Sequence, residues 1–107
     1  MILSNFHIIF LLLFQQQIEI SIINNTTFTI DELNVYSQGF KSLKPKDTTA
    51  TKSFVFDELT NNSIINLKAE NKQFILYIPP PKYDKYTIVL DSLNIENRVI
   101  YYSTLNK

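Results

Sequence analysis

From Ile18 to Thr104 the apolar residues fall at alternate positions, in short runs interrupted by clusters of Asn, Asp, Pro and Lys. A period of two is the signature of a strand with one dry face, and regular interruption is what chain turns require. Ile18, Ile20 and Ile22 open the series. Phe28 and Ile30 follow, then Leu33 and Val35 in shifted phase. Phe54 and Phe56 come next, then Ile65, Leu67 and Ala69. Phe74, Leu76 and Ile78 share one face, with Ile75 and Tyr77 on the other. Tyr86, Ile88 and Leu90 precede a last run from Arg98 to Thr104, where Val99 and Tyr101 oppose Ile100 and Tyr102. Seven short strands are thus expected, too many to leave one apolar sheet face uncovered. The chain is expected to fold as an all-β, antiparallel two-sheet β-sandwich.

A competing helix has its own signals. Thr29-Ile30-Asp31-Glu32 fits a capping box, and Gly39 would close a helix begun at Ile30. The window is rich in Ile, Val, Tyr and Asn, mediocre helix formers, so strand is the preferred reading. The strand spacing resembles that of immunoglobulin-like sandwiches in architecture only. That resemblance covers Ile18 to Thr104 and rests on no motif, since the chain has no Trp and no Cys pair.

Composition removes most chemistries. The chain has 107 residues, enough for one domain, and its ten basic residues balance ten acidic ones. That balance argues against a dedicated nucleic-acid binder, and the lysines at Lys41, Lys44, Lys46 and Lys52 read as a solvated connection. A single glycine, Gly39, excludes glycine-rich phosphate loops, and the absence of cysteine excludes disulfides, thiolate metal sites and Cys nucleophiles. The one histidine, His7, lies in an apolar leader, so no Ser-His-Asp triad is expected. The protein is read as a non-enzyme without a cofactor. With glycine so scarce, positive φ angles are expected at Asn24-Asn25 and Asn61-Asn62.

The leader reads MILSNFHIIFLLLF, and its run from Ile8 to Phe14 is too short for a transmembrane helix but suits a secretory signal. Residues 1–17 are accordingly read as a signal peptide or hydrophobic leader and residues 18–107 as the domain. This places the protein outside the cytoplasm, secreted or periplasmic, with no membrane span in the mature chain. No Lys or Arg precedes the run and no small-residue cleavage site follows it. The alternatives are a buried first strand in a cytoplasmic interaction or inhibitor protein, or an uncleaved anchor. Sequons at Asn24, Asn25 and Asn61 matter only in a eukaryotic secretory pathway.

Two features bear on binding. Phe74 to Tyr86 reads FILYIPPPKYDKY, where three prolines stop a strand and Tyr77, Tyr83 and Tyr86 flank them. Tyrosines on a rigid edge offer large amphipathic area at low entropic cost, so these three, with Tyr102, are the candidate surface for a protein or cell-surface partner. The plainer account is that Tyr is simply a favoured strand residue. Separately, three hexads share apolar residues at i, i+2 and i+5 with Asp at i+3: Phe28–Leu33, Phe54–Leu59 and Ile88–Leu93. The slip from i+4 to i+5 predicts a β-bulge or a strand end, after which Leu returns to the dry side. Asp31, Asp57 and Asp91 gathered at sheet edges would suit Ca²⁺ in a carbohydrate-binding domain. The plainer account is that Asp ends strands by accepting a local N–H.

Overall fold

The structure is a computed structural model and describes residues 15–106, with the side chains of Gln15, Tyr86 and Asn106 left aside. The leader's Met1 to Phe14, His7 included, lies outside the described residues. Eight strands run in chain order: β1 (Gln15–Asn24), β2 (Asp31–Val35), β3 (Gln38–Gly39), β4 (Lys52–Asp57), β5 (Ile64–Ala69), β6 (Lys72–Tyr77), β7 (Lys85–Asn94) and β8 (Val99–Asn106). They form two four-stranded sheets, ordered β4-β1-β7-β8 and β3-β2-β5-β6. The protein is an all-β sandwich, as the alternation requires. No helix occurs among the described residues, and the capping-box window is strand β2.

Alternation fixes which face is dry. Ile18, Ile20 and Ile22 of β1, Leu33 and Val35 of β2, Ile65, Leu67 and Ala69 of β5, and Ile88 and Leu90 of β7 are buried between the sheets. Phe74 and Phe56 add the aromatic mass of the core. Fully burying one such side chain contributes about 1.5–3 kcal/mol, and the inward residues of both sheets share one contiguous cluster.

Three expectations are corrected. The sandwich is not wholly antiparallel: β1 and β7 pair in parallel, Glu19 with Lys85 through Asn24 with Leu90. Local pattern carries no information on that pairing, because the two strands are separated by five others. The eighth strand is β3, a two-residue partner for Asn34 and Val35. Its brevity hides it from any periodicity. Positive φ falls on Glu32, Tyr36, Ser37, Lys46, Glu70, Asn71 and Arg98 rather than on the two Asn pairs, and Gly39 does not need it. Tyr36-Ser37 and Glu70-Asn71 are both two-residue links between antiparallel neighbours, with both φ positive, as the right-handed twist of hairpins demands. Packing of the flanking strands outweighs the αL cost at these non-glycine residues.

The hexads behave as their slip predicts in part. The β2–β5 register shifts between Asp31 and Asn34, and the β7–β8 register shifts between Leu90 and Ser92. Leu33 and Leu93 then return to the core side. The middle hexad, Phe54–Leu59, ends a strand instead: the Asp57 carboxylate accepts the Leu59 N–H at 2.9 Å, and Leu59 is 84% exposed. The expectation that its Leu turns inward is corrected, because β4 ends in a turn at Asp57 and does not continue through Leu59.

Candidate functional site

The stop imposed by the prolines builds the site. β6 ends at Tyr77, and Pro79 to Asp84 crosses from one sheet to the other before β7 begins at Lys85. Pro81 is buried, while Pro79, Pro80 and Tyr83 stay exposed. Between this crossing and the C-terminal half of β8 lies a groove of about 500 Å³. Tyr83 and the prolines form one wall; Tyr102, Ser103 and Thr104 form the other.

Tyr36 and Ile78 also line the groove. The Tyr36 hydroxyl donates to the Pro79 carbonyl at 2.7 Å, and its ring meets Phe56 edge-on, centroids 5.4 Å apart at 77°. The Tyr36 carbonyl accepts from Asn61 Nδ2 at 3.0 Å, while Asn61 Oδ1 accepts the Asp57 N–H, also at 3.0 Å. One buried tyrosine therefore links both sheets and holds the proline crossing in place. Sequence reasoning missed it: Tyr36 follows Val35 out of phase, in a turn that lacks Gly and Asn, so no local signal marks it as a floor residue.

The four candidate tyrosines divide. Tyr83, 48% exposed, and Tyr102, half-buried, come together across the groove. Tyr77 does not join them; it stands 84% exposed on the outer face of its sheet, opposite Ile64 on the neighbouring strand. The backbone of Tyr86 is paired with Ile20 and Asn106, and its side chain lies outside the described residues.

The three aspartates are not brought together. Asp57 ends β4 opposite Gln15, at the end of the sheet where β1 begins. Asp91 lies one residue past the Leu90–Asn24 pair, at the other end of that sheet. Asp31 belongs to the second sheet and accepts the Ser42 hydroxyl at 2.8 Å. Among the described residues no group of three His, Cys, Asp or Glu stands close enough to hold a metal ion.

A second hollow of about 600 Å³ lies along the long polar connection, lined by Phe40, Lys41 and Lys52 among others. Lys52 is committed there, with its ammonium 5.2 Å from the Phe40 ring centre and donating to the Gly39 carbonyl. That arrangement covers an edge aromatic. No helix among the described residues is long and apolar enough to cross a membrane. Comparison with protein-family models, with curated proteins and with solved structures finds no match to this chain.

Proposed function

We propose that the protein is a non-catalytic β-sandwich module of immunoglobulin-like architecture that contacts a protein or cell-surface partner through the Tyr83–Tyr102 groove. One observation carries this reading: two tyrosines and a triple proline form the walls of a groove whose floor, Tyr36, is fixed by a 2.7 Å hydrogen bond and an edge-on ring contact. A rigid amphipathic surface costs little entropy on binding, which is the property a contact surface needs. The apolar leader supports a secreted or periplasmic location. β1 starts at Gln15, and Gln15, Gln16 and Gln17 pair with Asp57, Phe56 and Val55. Removal of a signal at residue 14 keeps every described pair of this strand, whereas removal of residues 1–17 takes its first three described pairs.

Affinity capture with matched variants tests the groove. Wild type and Tyr77→Ala are expected to retain the same partner, and Tyr83→Ala to lose it while keeping the wild-type melting temperature. Retention unchanged by Tyr83→Ala contradicts the reading. Intact mass of the protein from its native cell, fraction by fraction, tests the location: loss of the leader with the product outside the cytoplasm supports it, and a complete chain in the soluble cytoplasm refutes it.

A further inference from the structure

Among the described residues the two sheets end in four edges, and three of them carry devices that discourage further pairing. β3 is two residues long. β4 begins with Lys52 and ends with Asp57. β6 begins with Lys72 and runs out toward Pro79-Pro80-Pro81. Short length, charge and proline are the usual protections of an edge. β8 has none of them: Val99–Asn106 is eight residues, VIYYSTLN, without a charge or a proline.

The direction of its free backbone groups follows from its neighbours. The Leu90 carbonyl accepts the Asn25 N–H at 2.9 Å, so Leu90 turns its backbone groups toward β1 and away from β8. The Leu90–Tyr102 pair is therefore a non-hydrogen-bonded pair of the antiparallel ladder, and Tyr102 turns its N–H and C=O to the open side. By alternation Ile100 and Thr104 do the same, while Tyr101, Ser103 and Leu105 bond to β7. β6, an edge strand of the other sheet, comes near β8, yet no backbone bond joins the two among the described residues. On the outer face of the same strand, Tyr101 and Leu105 are 53% and 54% exposed.

We propose that β8 pairs antiparallel with β8 of a second copy of this chain, joining two four-stranded sheets into one continuous sheet. The strand is self-complementary about Ser103. In that register Ser103 faces its own mate, Tyr101 meets the second copy's Leu105 in both halves, and Tyr102 exchanges backbone bonds with the second copy's Thr104. The two exposed apolar side chains thus cover each other, at the close spacing of non-hydrogen-bonded pairs. The absence of charge favours a second copy as occupant, because this one sequence then supplies both members of every facing pair, Tyr101 with Leu105 and Ser103 with itself, and no charge is left in want of an opposite one. One strand pair buries little area, so the dimer forms and dissociates with concentration. The dimer takes up Tyr102, Ser103 and Thr104, which also line the groove, so a second copy and a groove partner compete for this edge, and the test below uses the chain alone.

Light scattering or sedimentation of the full chain over a concentration series tests it, with two variants and a cross-link. Wild type is expected to shift from one chain mass to two as concentration rises. Thr104→Pro removes a donor that points only to the open edge, and Tyr101→Lys sets a charge against the second copy's Leu105 in both halves. Either is expected to weaken the dimer by about tenfold or more while leaving the melting temperature of the dilute protein unchanged. The chain has no cysteine, so Ser103→Cys introduces a lone thiol that is expected to oxidise to a disulfide-linked dimer. Ser53→Cys, also exposed but on edge strand β4, is expected to remain monomeric. A wild type that stays monomeric throughout overturns the proposal. So does a dimer that neither variant weakens, or equal cross-linking at both cysteines.

Discussion

The two ends of this sandwich are built in opposite ways. Where β1 finishes, the side chain of Asn24 is wholly buried and fully engaged. Its amide donates to the carbonyls of Phe28 at 2.7 Å and Leu43 at 3.0 Å. Its Oδ1 accepts both the N–H and the hydroxyl of Thr26, at 3.0 and 2.7 Å. Backbone bonds from Asn24 to Asp47 and from Lys46 to Asn24 tie the long polar connection to the same point. At the other end, Pro79 to Tyr83 cross the gap between the sheets and leave two prolines and a tyrosine in solvent over a single anchored ring, Tyr36. A satisfied buried network specifies one conformation and stabilises it, because every lost partner strands another group. An exposed aromatic surface adds little to folding and remains available. The first end holds the fold; the second is where contact is proposed.

The sharpest contrast concerns glycans, since the sequons fall on both kinds of environment. In protein made through a eukaryotic secretory pathway, the folded fraction is expected to carry a glycan on exposed Asn25 alone. Asn24 and Asn61 commit their amides to backbone carbonyls. Peptide mapping that finds a glycan on Asn24 in folded protein breaks the comparison. Next in size is Asn24→Leu, which leaves the Thr26 amide without its acceptor and is expected to cost about 3 kcal/mol in denaturant unfolding. Tyr36→Phe keeps the contact with Phe56 but removes the bond to Pro79, and about 1 kcal/mol is expected. Tyr83→Ala is the smallest, within about 0.5 kcal/mol of wild type. A Tyr83→Ala loss as large as that of Asn24→Leu would make the groove part of the core.

The strands were legible from alternation because both sheets have one dry and one wet face, which is the condition under which a period of two appears. The proline stop was legible for the same local reason, as was the separation of Tyr77 from Phe74, Leu76 and Ile78. What pattern does not carry is pairing at a distance. The parallel β1–β7 contact, the two-residue β3 and the bond from Tyr36 to Pro79 join residues far apart in the chain or too few to show a period. Local preference puts positive φ on Asn24-Asn25 and Asn61-Asn62, yet it falls on Tyr36-Ser37 and Glu70-Asn71, where strand pairing on either side dictates the turn. The hexads show the same limit. Leu33 and Leu93 return to the core because their strands continue past the bulge, and Leu59 does not because β4 stops at Asp57.

Residue-resolved hydrogen exchange at a dilute, monomeric concentration tests the contrast between the two ends most directly. The amides of Asn24, Thr26 and Ile30 are expected to exchange only at the rate of global unfolding. Those of Lys82, Tyr83, Tyr102 and Thr104 are expected to exchange many times faster, with Tyr101 and Ser103, bonded to β7, protected between them. Uniform protection across both ends, or faster exchange at Asn24 than at Tyr83, would contradict the account.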